Sequence, residues 1–129
     1  MSAGKYNFVV EQGSQHEVSF RYKLADGTYQ NLDSFRARMS VKDHITDTAY
    51  VYQATSDASS DTGYNVHFVK TASQGTAANT GKFTLTIPAG ITAAFTFGQG
   101  VYDLELVSNS GVVSKLLEGK FKVKPQVSE

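Results

Sequence analysis

The sequence predicts an all-β fold, a sandwich of about seven or eight short antiparallel strands with one short helical turn. Three observations lead there. Apolar residues recur at every second position in run after run, which is the period of a half-buried strand. The runs are separated by turn chemistry such as Gln12-Gly13-Ser14, Asp26-Gly27 and residues 108–111. Only residues 89–97 carry apolar spacings of three and four, too short a stretch for an independent helix. The 129 residues predict a single domain spanning 1–129, and 40% apolar content with eight Phe and seven Tyr predicts a packed core.

The first strand is expected at residues 5–11, with Tyr6, Phe8 and Val10 on one face. Residues 16–24 alternate most cleanly: Val18, Phe20, Tyr22 and Leu24 are apolar, while Ser19, Arg21 and Lys23 take the other face. Asp26-Gly27 then offers a turn that tolerates positive φ. Phe35, Ala37, Met39 and Val41 define a third strand with Arg36, Arg38, Ser40 and Lys42 opposite. A fourth runs through residues 48–55.

Residues 56–63 lack an apolar period and predict a surface loop. Residues 64–70 place Tyr64, Val66 and Phe68 on one side, and a second polar loop follows at 71–81, so the pair suggests a projecting hairpin. These loops read either as binding surfaces on a rigid scaffold or as inert insertions. Phe83, Leu85 and Ile87 alternate with Thr84 and Thr86 until Pro88 ends the strand. Residues 89–97, with Ile91, Ala94 and Phe95, are expected to plug one end of the sandwich.

The chain closes on a long hairpin. Tyr102, Leu104 and Leu106 share a face against Asp103 and Glu105, a turn occupies residues 108–111, and a second extended run covers 112–123. Its alternation breaks at Leu116-Leu117-Glu118-Gly119, and a bulge is expected at Gly119, where it is cheapest. Strand count and turn spacing fit a sandwich or a closed barrel, and an immunoglobulin-like sandwich is the expected architecture. The tryptophan and cysteine pair of antibody domains are absent.

No constellation of reactive side chains emerges, so no catalytic residue, cofactor site or metal site is assigned. His16, His44 and His67 are far apart, without zinc-ligand spacing, and His16 and His67 fall on the polar phase of their strands. Asp43, Asp47, Asp57 and Asp61 read as turn and cap residues, since no calcium-loop pattern surrounds them. Asp103 and Glu105 share a wet strand face about 7 Å apart, a spacing also found between glycosidase carboxylates. No phosphate loop or nucleophile elbow occurs.

Twelve basic residues balance twelve acidic ones, which gives no net attraction toward nucleic acid or an anionic membrane. Lys115, Lys120, Lys122 and Lys124 form a local basic stripe, read as protection of a terminal edge strand. The absence of cysteine excludes disulfides and thiolate metal sites. No signal peptide or membrane helix is predicted, so the expected site of synthesis is the cytosol.

The closing stretch GVYDLELVSNSGVVSKLLEGKFKVK resembles the end of small immunoglobulin-like structural proteins of tailed bacteriophages. The opening YNFVVEQGS and the central LADGTYQNLDSFRARMSV are similar to the corresponding parts of that family, and the patches together cover roughly half the chain. The family's usual ending is close to PEVTR, whereas this chain ends Pro125-Gln126-Val127-Ser128-Glu129, and residues 56–80 are longer and more polar than the pattern. The resemblance implies a non-enzymatic virion protein of the tail, baseplate or neck, made in the host bacterial cytoplasm. Its partners would be other virion proteins or further copies of itself in a symmetric assembly. A capsid decoration protein is the alternative within that class. The alternative of another class is a carbohydrate-binding module for host adsorption, with Tyr50, Tyr52 or Tyr64 as an aromatic platform. The candidate interaction surface therefore comprises Tyr50, Tyr52, Tyr64, Lys120, Lys122, Lys124, Gln126 and Val127, the last two in a short tail at 125–129.

Overall fold

The computed structural model describes residues 4–125, as two β-sheets packed face to face. Ten strands are β1 (Gly4–Lys5), β2 (Phe8–Glu11), β3 (His16–Arg21), β4 (Phe35–Lys42), β5 (Tyr52–Thr55), β6 (Asn65–Val66), β7 (Phe68–Lys70), β8 (Lys82–Ile87), β9 (Gln99–Ser108) and β10 (Val113–Lys124). One short helix, α1 (Ala89–Ala93), follows Pro88. The larger sheet runs β1-β10-β9-β4-β5-β6, with β2 also on β10; the smaller runs β3-β8-β7. This is an immunoglobulin-like β-sandwich, as the alternation predicts.

Period two decides which side chains meet. Ala37, Met39 and Val41 of β4, Tyr102, Leu104 and Leu106 of β9, and Phe121 and Val123 of β10 face Phe68, Phe83, Leu85 and Ile87 of the smaller sheet, all of them buried. Phe95, just after α1, packs edge-on to both Tyr52 and Phe121 and closes one end of the core.

Two features of the pairing depart from the expectation of antiparallel strands throughout. The opening segment runs parallel to β10, with Lys5 opposite Glu118 and Phe8 opposite Phe121 in one continuous register. β6 likewise pairs parallel with β5. The first strand is also split at Tyr6 and Asn7: Tyr6 N–H donates to Glu118 O at 3.2 Å, and Asn7 Oδ1 accepts from Lys120 N–H at 3.0 Å. Phe8 and Val10 are buried, while Tyr6 stays 40% exposed.

The bulge falls three residues earlier than predicted. Lys115 faces Glu105 and Leu117 faces Leu104, so Leu116 is the extra residue. The doublet Leu116-Leu117 is where the apolar phase changes, and the bulge makes that change. Gly119 has another role, because a Cβ there would lie 2.3 Å from the Tyr6 carbonyl oxygen. It lets the first strand approach β10.

Residues 64–70 do not form a projecting hairpin. The segment leaves the larger sheet after Val66 and enters the smaller one at Phe68, so Val66 is exposed and Phe68 buried although they share a period-two phase. His67 is the crossing point. Its Nδ1 lies 2.6 Å from the Tyr52 hydroxyl, its ring stacks on Tyr52, and burial lowers its pKa. His16 is equally unlike a solvent-facing imidazole: its ring lies against Phe8, its Nε2 is buried without a hydrogen-bond partner among the described residues, and burial lowers its pKa.

Candidate interaction surface

The outer face of the larger sheet carries most of the sequence-predicted surface residues. On β4, β9 and β10 the outward phase is charged: Arg36 and Arg38, Asp103 and Glu105, and Lys115 and Glu118. Cross-strand spacing brings opposite charges together. Arg38 Nε lies 2.8 Å from Glu105 Oε1, Lys115 Nζ lies 3.2 Å from Asp103 Oδ1 and 3.5 Å from Glu118 Oε1, and Lys5 pairs with Glu118. Asp103 and Glu105 thus share the expected face, each held by a cation.

This ladder floors a depression of about 600 Å³, with Tyr50, Tyr64, Ile45, Lys42 and Lys120 on its walls. Tyr50 is 49% exposed and its ring lies 5.2 Å from Lys42 Nζ. The structure therefore brings Tyr50, Tyr64 and Lys120 to one place. Tyr52 is a correction: it is 5% exposed, packed on Phe95, Phe121 and His67, and belongs to the core. β5 begins only at Tyr52, so Tyr50 sits in the approach to the strand and shares none of that burial.

Lys120, Lys122 and Lys124 are exposed, but β10 is not an edge. The opening segment covers that side, so edge protection does not explain these lysines. Gln126 and Val127 lie outside the described residues.

Two buried polar residues that the sequence disguised as loop composition hold the polar loops. Asp61 is one. Its Oδ2 accepts from Arg36 Nε at 2.8 Å and Thr55 Oγ1 at 2.7 Å, and its Oδ1 lies 3.6 Å from an Arg38 terminal nitrogen. With its side chain 5% exposed, Asp61 ties residues 56–63 to β4 and β5. Within the same loop Asp57 accepts from the Ser59 hydroxyl and backbone N–H, which hold its carboxyl below the usual range. Gln74 is the other. Its Oε1 accepts from Leu32 N–H at 3.1 Å and Gly81 N–H at 2.8 Å, and its Nε2 donates to the carbonyls of Thr71 and Lys82. Every polar atom of that buried amide is satisfied. Neither loop is a loose insertion.

Replacing Asp61 by alanine is expected to destabilise the fold by about 2–3 kcal/mol, because Arg36 and Thr55 lose a buried acceptor. The figure stays below that for a fully enclosed pair since both arginines reach water. Urea unfolding measures it, and a loss under about 0.5 kcal/mol, within the scatter of ordinary surface substitutions, would show that Asp61 does not anchor the loop.

Among the described residues one trio, Asp43, His44 and Asp47, brings metal-donor atoms within 4.8 Å of one another. Asp47 already accepts the His44 backbone N–H at 3.0 Å, and its own N–H donates to the His44 carbonyl. That is the geometry of a locked turn.

No protein-family model matches this chain, and no curated protein matches it. Among solved structures it is similar to CopC from Methylosinus trichosporium OB3b, with 15% identity and a TM-score of 0.43 over 99% of this chain and 90% of that one. It is also similar to extracellular domains 3–5 of Drosophila OTK, with 16% identity and a TM-score of 0.34 over 91% of this chain and 32% of that one. Both likenesses are remote, and neither assigns a ligand or a partner to this chain.

Proposed function

We propose that this chain is a non-enzymatic structural protein of a tailed-phage particle, an adaptor or accessory module of the tail, baseplate or neck. The observation that carries the reading is the resemblance of the closing hairpin, GVYDLELVSNSGVVSKLLEGKFKVK, to the end of such proteins. Those residues build the framework: Tyr102, Leu104, Leu106, Phe121 and Val123 are core, and Gly119 admits the first strand. A rigid sandwich of this kind works by being held. The outward ladder of paired charges and the depression beside Tyr50 offer neighbouring subunits a preformed polar surface, and symmetry multiplies each weak contact.

Quantitative mass spectrometry of purified virions tests the proposal. The expected result is presence at a copy number that fits the rotational symmetry of a tail or neck. A copy number on the scale of the head lattice would instead make the chain a capsid decoration protein, and absence from the particle would overturn both.

One observation favours a second reading, a carbohydrate-binding module for host adsorption. Tyr50 and Tyr64 line the same depression, where an aromatic ring can stack on a sugar while the charged floor bonds its hydroxyls. Tyr52 takes no part. Binding to host glycans that disappears in Tyr50→Ala supports this reading, and no glycan binding removes it.

A further inference from the structure

β3 is one edge of the smaller sheet and, among the described residues, pairs only with β8. The ladder shows which of its backbone groups are free. Arg21 faces Lys82, and one residue on, Tyr22 N–H donates to Gly81 O at 2.8 Å, so Tyr22 belongs to the hydrogen-bonded phase. By the alternation of an antiparallel pair, His16, Val18 and Phe20 share that phase, while Glu17, Ser19 and Arg21 turn their N–H and C=O groups to the open side. No backbone bond from another described element reaches those three residues. Natural edges are commonly blunted by charged side chains, above all lysine, by proline or by a bulge. β3 has no lysine, no proline and an unbroken register with β8, and its two charges, Glu17 and Arg21, are of opposite sign.

Neither charged side chain of this edge has an opposite charge beside it among the described residues. Arg21 donates to the carbonyls of Thr80 and Ala77 at 2.9 and 2.6 Å and stacks on Tyr29 at 3.5 Å, yet no carboxylate is paired with it among the described residues. The Glu17 carboxylate accepts from the Thr86 hydroxyl at 3.3 Å and has no ion-pair partner among the described residues. On the inner phase Val18 and Phe20 pack on the core but remain half-buried, and Phe20 borders an apolar cleft of about 340 Å³ walled by Phe83, Leu104, Leu116 and Leu117.

We propose that β3 pairs antiparallel with β3 of a second copy of this chain, about a two-fold axis through Ser19. In that register Glu17 faces the partner's Arg21 and Ser19 faces the partner's Ser19. The outward-directed backbone groups of each copy therefore meet, and each facing pair exchanges both of its hydrogen bonds. Val18 and the partner's Phe20 become a close non-hydrogen-bonded pair that covers the mouth of the cleft. Other two-fold registers keep the backbone phase but set Glu17 against itself, Arg21 against itself, or neither against the other. An axis through Phe20 would set Glu17 against the partner's Lys23, which lies beyond the end of β3, so the Ser19 axis is the one that pairs opposite charges within the strand. The pairing deepens the adaptor reading by naming one neighbour, and it is tested on the purified chain, so absence from virions and absence of a dimer are separate results.

Sedimentation of the full chain at roughly 100 µM, where a micromolar contact is saturated, is expected to show a dimer. Ser19→Pro removes an outward N–H and is expected to weaken it about a hundredfold while circular dichroism keeps its strand signal, since an edge tolerates proline on its free side. Should Ser19→Pro disturb folding, a cysteine probe decides. The chain has no cysteine, and hydrogen-bonded facing residues have Cα atoms about 5.5 Å apart, within disulfide reach. Ser19→Cys is therefore expected to form a covalent dimer on mild oxidation much faster than Ser110→Cys at the exposed tip of the last hairpin. A monomeric wild-type chain at that concentration, or Ser19→Cys cross-linking no faster than Ser110→Cys, overturns the proposal.

Discussion

Phe121→Ala is expected to lower the unfolding free energy by about 4 kcal/mol, a large share of the 5–15 kcal/mol typical of a whole domain. Phe121 of β10 is fully buried where the opening segment and the stretch after the short helix converge. Its ring stacks on Phe8 of the opening segment with centroids 5.4 Å apart, and it touches Phe95 and Phe97 at 5.9 Å and Tyr52 at 6.2 Å. Removing it leaves a void walled by four rings from three separate segments. Backbone pairing fixes Phe8 and Tyr52, so the wall cannot collapse cheaply, and the cavity adds to the lost transfer energy. Phe121→Leu keeps most of the volume and is expected to lose only about 1–1.5 kcal/mol. Guanidinium denaturation of both variants measures the difference. If alanine and leucine cost the same, ring packing at this junction is not what holds the helix-bearing end of the sandwich.

Where burial on one face is enough to specify a strand, the sequence is readable. The runs containing Val18 and Phe20, Met39 and Val41, Phe83 and Leu85, and Leu104 and Leu106 all lie where their alternation places them, because a one-residue slip would turn every apolar side chain to water. What stays hidden depends on partners far along the chain. Parallel pairing of residues 4–11 with β10 joins positions more than a hundred apart, and local periodicity carries no sign of direction. Residues 64–70 look like one strand because their alternation is regular, yet the segment changes sheets at His67. Asp61 has the composition of a turn acid, and only the fold brings Arg36 to it.

The surface is legible in the same uneven way. Tyr50, Tyr64 and Lys120 converge on one depression, as residues singled out for exposure should, whereas Tyr52 shares the chemistry of Tyr50 but enters the core with β5. The unpaired edge of β3 leaves no trace in the pattern of residues 16–24, which reads as a well-formed strand. Alternation reports which face is wet and says nothing about which edge is free.

Gly119→Ala is expected to destabilise the fold by about 3 kcal/mol through a single misplaced methyl group. The overlap is severe: the new Cβ would lie 2.3 Å from the Tyr6 carbonyl oxygen and 2.8 Å from Asn7 Oδ1. Both atoms are in use. Tyr6 O accepts the hydroxyl of Tyr102, which is 3% exposed, and Asn7 Oδ1 accepts the backbone N–H of Lys120. Relieving the overlap moves the opening segment off β10 and leaves the buried Tyr102 hydroxyl without its acceptor, a penalty of roughly 1–3 kcal/mol by itself. The two effects are coupled through one carbonyl, so they should not add. Tyr102→Phe removes the hydroxyl and needs no acceptor; in that background Gly119→Ala is expected to cost about 1 kcal/mol less than in the wild type. Thermal or urea unfolding of the four proteins closes the cycle. Strict additivity would mean that Tyr6 keeps its place when Gly119 gains a side chain, and the glycine would then be accommodating the opening strand in name only.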